Sequence, residues 1–177
     1  MVHEKKKRRT IIMAEYWDLY DENRNALGRT IKRGDAFAEG EYYVCCEIWI
    51  QNTKGEFLIT QRHPDKKAGG MWEFSGGGVL AGETTKQAAV RELEEEIGIS
   101  IEEEELNLVE VYKHKNYFMD IFTVKKDIDL QKLTFQPEEV VDAKWVSDEE
   151  ICRMIAEKKI VWSVGMRYET YKGNLHN

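Results

Sequence analysis

The sequence contains no apolar run near the roughly 20 residues that a membrane-spanning helix requires. No apolar segment follows the basic start, as a secretory signal would need. Cysteine is scarce: three residues, an odd number, in no spacing that ligates a metal. Cys45 and Cys46 are adjacent in an expected strand, where their side chains point to opposite faces, and Cys152 falls in an expected helix. All three read as reduced, packed residues of a cytoplasmic protein, which excludes a disulfide framework. Positive charge is not in surplus. The net charge of −7 argues against general affinity for nucleic acid. The one basic run, Lys5-Lys6-Lys7-Arg8-Arg9, reads as a solvated tail. There is no repeat, low-complexity tract or internal linker.

What is present is enough for one domain with a sizeable core: 177 residues, 42% hydrophobic and 33% charged. Residues 1–10 are expected as a flexible basic tail and 11–177 as a single domain. Runs of β-formers predict strands over 15–21, 27–32, 42–50, 56–62, 106–112, 117–124 and 140–146. The turn Asn52-Thr53-Lys54-Gly55 predicts that 42–50 and 56–62 form a hairpin. Helices are expected over 147–158, which opens on a cap and an acidic turn, and over 163–171. Hairpins mixed with a central helix predict a mixed sheet with helices on its faces.

The helix that matters most follows a glycine-rich stretch, Gly76-Gly77-Gly78, read as a turn. Thr84 with Gln87 three residues later fits a capping box, and Gly98 stands where a left-handed cap ends a helix. At about 100° per residue, Glu92, Glu95 and Glu96 share an arc of roughly 100°. Ala89, Val90, Leu93 and Ile97 fall on the adjacent arc. One side of the helix enters a core while the next concentrates negative charge. Such a cluster repels itself unless a cation neutralises it, and hard divalent cations take oxygen ligands that they commonly share with substrate phosphates.

The spacing is specific. Gly77, five residues, Glu83, seven residues, Arg91-Glu92-Leu93, one residue, Glu95-Glu96, one residue, Gly98-Ile99 resembles a complete Nudix box, the signature of the MutT-like pyrophosphohydrolases. The resemblance implies an α/β/α sandwich, here with an N-terminal β-hairpin extension. It implies hydrolysis of the diphosphate linkage of a nucleoside diphosphate joined to another group, with Mg²⁺ or Mn²⁺. Carried over position by position, Glu92, Glu95, Glu96 and the carbonyl of Gly76 become the metal ligands. Arg91 orients the glutamates by ion pairing, and Glu83 fixes the loop. The general base is Glu95 or Glu96 within the box, or Glu139 from the loop before the 140–146 strand. Arg62, Lys67, Trp72 and Phe74 are candidate substrate contacts: Arg62 as a bidentate phosphate partner, Lys67 from the loop over 63–72, and the two aromatic rings by stacking.

The N-terminal stretch WDLYDENRNALG also resembles the branch of the superfamily that includes isopentenyl-diphosphate isomerase. That enzyme needs a cysteine before the box helix and upstream histidines; here the matching positions are Gly76 and Gly78. The sequence thus keeps the hydrolase metal site and lacks the isomerase acid, which favours a hydrolase; the alternatives to it are an isomerase-like enzyme and a non-catalytic nucleotide-binding domain. The expected partner is a small phosphorylated molecule, with no nucleic acid and no membrane, and a homodimer is compatible with the aromatic C-terminal segment. Which diphosphate is cleaved is not written in the box.

Overall fold

The computed structural model describes residues 14–176; the expected basic tail lies outside them. Two strands, β1 (Tyr16–Tyr20) and β2 (Ala26–Lys32), form an antiparallel N-terminal hairpin. Its turn is held by the Asp21 carboxylate, which accepts from the backbone N–H groups of Asn23 and Asn25. The hairpin docks on the body through the Tyr20–Tyr42 bridge. A two-pronged ion pair, Arg24 with Asp120 at 2.6 and 2.7 Å, adds to this.

The body is a seven-stranded mixed sheet. It comprises β3 (Tyr43–Gln51), β4 (Phe57–Arg62), β5 (Trp72–Glu73), β6 (Ser75–Gly78), β7 (Asn107–Lys113), β8 (Tyr117–Lys125) and β9 (Val140–Val146). Only β3 and β8 run parallel. The expected hairpin between 42–50 and 56–62 forms only at its closed end. Its arms share one register pair, Gln51 with Phe57, and then diverge. The segment Trp72–Gly78 fills the fork, with β5 on β4 and β6 on β3. The outer edges go to β9 and β8. Phe74 is the physical reason: it lies between β5 and β6, and its ring packs 5.5 Å from Trp49 of β3 and 6.2 Å from Phe57 of β4, holding the arms apart.

The glycine-rich stretch is likewise a strand and not the expected turn. A Cβ on Gly76 would overlap the backbone carbonyl of Cys46 on β3. The glycines are there for close approach between strands, not for reversal of the chain.

Alternation along β3 divides the interior into two cores. Val44, Cys46, Ile48 and Ile50 pack with Ala88, Ala89, Leu93 and Ile97 of α1 (Thr85–Ile97). Trp49, on the opposite face, packs with Ile151 and Met154 of α2 (Asp148–Ala156) and Val164 and Tyr168 of α3 (Trp162–Tyr171). The result is an α/β/α sandwich with a mixed sheet and an N-terminal β-hairpin. No helix among the described residues is long and apolar enough to cross a membrane.

Candidate active site

Thr84 and Gln87 close both halves of the capping box, and Gly98 ends α1 at φ 72°, so the acidic helix is fixed at both ends. Arg91 then organises its charged face. The guanidinium donates to both oxygens of Glu83 at 2.8 and 3.0 Å, to Glu92 at 2.8 Å, to Glu95 at 3.2 Å and to the Gly78 carbonyl at 3.0 Å. Burial opposes its charge, but the hydrogen bonds to Glu83 and the charge of Glu92 outweigh that and raise its pKa.

The three box glutamates do not share one environment. Glu95 is exposed. Burial raises the pKa of Glu92, with Arg91 opposing. Glu96 is only 8% exposed. Burial, reinforced by Glu92 and Glu73 and opposed by Lys66, pushes its carboxyl up to about 8. Its charge is thus short of a positive partner.

The glycine strand brings Glu92 close to a cavity. A Cβ on Gly77 would overlap the Glu92 carboxylate, and one on Gly78 would lie 2.6 Å from the indole nitrogen of Trp17. Gly76, Gly77 and Gly78 also line a pocket of about 400 Å³, whose walls include Trp17, Tyr43, Arg62, Lys67 and Arg167. A ligand there is separated from Glu92 by little more than a bare backbone. Two ion pairs stiffen the walls. Arg62 pairs with Glu73, whose pKa burial raises against the pull of Arg62. Arg167 pairs with Glu47, which also accepts from the Trp49 indole N–H at 2.9 Å.

Of the residues expected to touch substrate, Arg62, Lys67 and Phe74 line this pocket. Phe74 is also buried in the core beneath α2 and α3. Trp72 does not line it: the ring packs on that same core and carries Lys144 Nζ 4.4 Å from its centre. Glu139 approaches from another direction. Its loop is tied to the end of α1, where the Thr134 and Gln136 N–H groups donate to the carbonyls of Ile97 and Glu96. The Glu139 carboxylate pairs with Lys66. The loop over 63–72 is folded back on itself, with the Gly70 N–H donating to the Arg62 carbonyl and Arg62 Nε to the Lys67 carbonyl.

Sequence reasoning missed Trp17, Lys66, Glu73 and the Glu47–Arg167 pair. Only Glu47 carried a signal: a lone acid inside the apolar run YYVCCEIWI must be buried with a partner. Among the described residues no three His, Cys, Asp or Glu side chains converge with metal-site geometry, and Arg91 engages Glu92 and Glu95.

The NUDIX domain family matches residues 44–163, well over half of the chain. The chain belongs to the Nudix family. An uncharacterized Nudix hydrolase of Listeria monocytogenes is 41% identical over 139 residues, covering 77% of this chain and 82% of that protein. The 8-oxo-dGTP diphosphatase of Escherichia coli is 47% identical, but over only 51 residues, 29% of this chain and 40% of that enzyme. A crystal structure from Deinococcus radiodurans superimposes with a TM-score of 0.69 at 23% identity, covering 83% of this chain and 92% of that one, and supports the fold alone. The protein is a Nudix hydrolase, an enzyme of the pyrophosphohydrolase class.

Proposed function

We propose that this Nudix enzyme hydrolyses, with Mg²⁺ or Mn²⁺, the diphosphate linkage of a nucleoside diphosphate joined to another moiety, acting in the cytoplasm. One observation carries the reading: the half-buried Glu92 carboxylate packs against Gly77, and a pocket whose walls include Arg62, Lys67 and Arg167 opens along the same run of glycines. The donor chemistry fits a hard divalent cation, because the candidate ligands Glu92, Glu95, Glu96 and the Gly76 carbonyl are all oxygens. Burial, with the charges of Glu92 and Glu73 adding to it, raises the Glu96 carboxyl to about 8. When bound, such an ion would neutralise the diphosphate and acidify a bound water.

The rest falls to the protein's own groups. Arg62 and Lys67 bind phosphate oxygens from the pocket wall. Arg91 holds Glu92 and Glu95 on the helix, where with Glu96 and the Gly76 carbonyl they would hold the ion. Glu95, Glu96 or Glu139 accepts the proton of the attacking water. Glu139, already held by Lys66, sits on the loop that passes the end of α1.

The test is Glu96→Gln. We expect the fold to persist, measured by an unchanged far-UV circular dichroism spectrum. Metal-dependent release of phosphate or nucleotide from a diphosphate panel should fall by roughly 1,000-fold. Turnover near that of the unmodified enzyme would refute the ligand assignment. Including isopentenyl diphosphate, with product analysis, also exposes any isomerase activity.

A further inference from the structure

The residues of α3 divide between two cavities. Val164 and Arg167 line the active-site pocket, whereas Trp162, Gly165, Met166 and Glu169 line a second cavity of about 460 Å³. At about 100° per residue, the two sets fall on opposite sides of the helix. Met71, Ile155 and Ile160 add to the second cavity, so most of its lining is apolar. Gly165 lets α3 lie close on α2: a Cβ there would stand 3.0 Å from the Ile155 side chain.

Trp162 stands at the rim. It is 77% exposed, the most of the large apolar residues described. Its backbone is held in place, since the Val161 N–H donates to the Trp72 carbonyl and the Trp72 N–H to the Lys159 carbonyl, both at 2.9 Å. An indole kept in water on a fixed backbone, beside an apolar cavity, has the make-up of an interface hot spot.

The charges of this face say what it meets. The cavity is lined by one cation, Lys158, and one anion, Glu169. Close by in sequence, Arg153 pairs with Glu150 and Lys159 with Glu157, whereas Lys158 and Glu169 have no ion-pair partner among the described residues. Lys158 also holds a left-handed φ of 58° just past the end of α2, a position where glycine is the ordinary residue. The chain carries a net charge of −7, which keeps copies apart wherever acids dominate. A balanced face is where two copies approach without that repulsion, and it offers a strongly acidic or basic partner no advantage. It also holds both the apolar knob and the apolar hole, which is what self-complementary association about a two-fold axis requires.

We propose that this face binds a second copy of the same chain. Trp162 of each copy enters the α2–α3 cavity of the other, and Lys158 of each meets Glu169 of the other. Because α3 also lines the active-site pocket, the second copy braces a wall of that site.

Analytical ultracentrifugation of the full chain tests this. The parent should sediment as a dimer at about 50 µM and dissociate on dilution. Trp162→Ala removes an exposed side chain, so its melting temperature in dilute solution should equal the parent's while association weakens about 30-fold or more. Lys158→Glu and Glu169→Lys each set like charges against each other and should be monomeric at the same concentration. Combining the two restores opposite signs and should restore the dimer, which a purely structural role for either residue does not predict. The proposal is overturned if Trp162→Ala or either charge variant dimerises as well as the parent, or if the combined variant stays monomeric. A monomeric parent overturns it too, and oxidation by N-bromosuccinimide then tells what stands in its place. Protection of Trp162 in that monomer would assign the cavity to residues 1–13 of the same chain, and ready oxidation would leave the face uncovered by any part of it.

Discussion

The two faces of the sheet are held by different kinds of chemistry. The α1 face is secured by neighbours in sequence. Thr84 and Gln87 cap the helix within three residues, Gly98 closes it, and Arg91 gathers Glu83, Glu92 and Glu95 from within eight. The α2 and α3 face is secured by partners far apart: Arg167 reaches Glu47 across 120 positions, and Lys172 and Tyr168 reach back 24 and 20 to Asp148. The first face can be rebuilt from a short window of sequence. The second exists only once the whole chain is folded.

That contrast explains what could be read in advance. The strand over 140–146, the capped helix and the acidic arc are local patterns, and each falls where its residues place it. The fork between β3 and β4 is not local. Turn chemistry at Asn52-Thr53-Lys54-Gly55 correctly closes the hairpin, but nothing near it announces that Phe74, over fifteen residues on, will wedge the arms apart. The glycine strand was misread for a related reason. A run of glycines is equally compatible with a turn and with close packing, and only the proximity of Cys46, Glu92 and Trp17 separates the two. Of the site, the box residues were legible from their spacing. The cationic partners Lys66 and Arg167 were not, because a single lysine or arginine on a helix or loop carries no mark of where it will point.

The comparison can be broken from either side. The largest effect should come from Arg167→Met, which leaves Glu47 buried without its cation. We expect a loss of about 3–5 kcal/mol in urea unfolding, with much of it restored by adding Glu47→Gln. A neutral result would mean that the second face does not depend on its long-range pair.

Two glycine substitutions come next. In Gly76→Ala the new methyl meets the rigid backbone of β3, so a loss of about 1–3 kcal/mol is expected. In Gly77→Ala the nearest atoms it meets are the carboxylate end of the Glu92 side chain, which can shift more cheaply than backbone. Stability should then be nearly kept, while metal-dependent turnover falls roughly 10- to 100-fold as the acid is displaced. Thermal melts and initial rates on both variants separate packing from chemistry on one strand. Equal behaviour of the pair would break the distinction.

Thr84→Ala should cost about 1 kcal/mol through the lost cap, again by urea unfolding. The smallest effect belongs to Asp148. Burial opposes its charge, but hydrogen bonds from Lys172 and Tyr168 outweigh that and hold the carboxyl below its usual range. A lowered pKa contributes stability that is present above the ordinary value, about 3.9, and lost as pH falls through the lowered one. The melting temperature of the parent should therefore drop more steeply below about pH 4 than that of Asp148→Asn. Parallel curves would show that this link between α2 and α3 is idle.

One feature of the sheet bears on how the molecule breathes. Between Cys45 and Ile48, β3 has β6 on one edge and β8 on the other, with a core on each face. Amide protons there can exchange with solvent only when the whole domain opens, whereas β7, at the sheet's rim with Leu108 56% exposed, can release its own locally. The backbone behind the glycines is then the last part to come loose. Whatever yields to admit a substrate must lie at the pocket's mouth, and the floor on which the phosphates would rest stays still while it does.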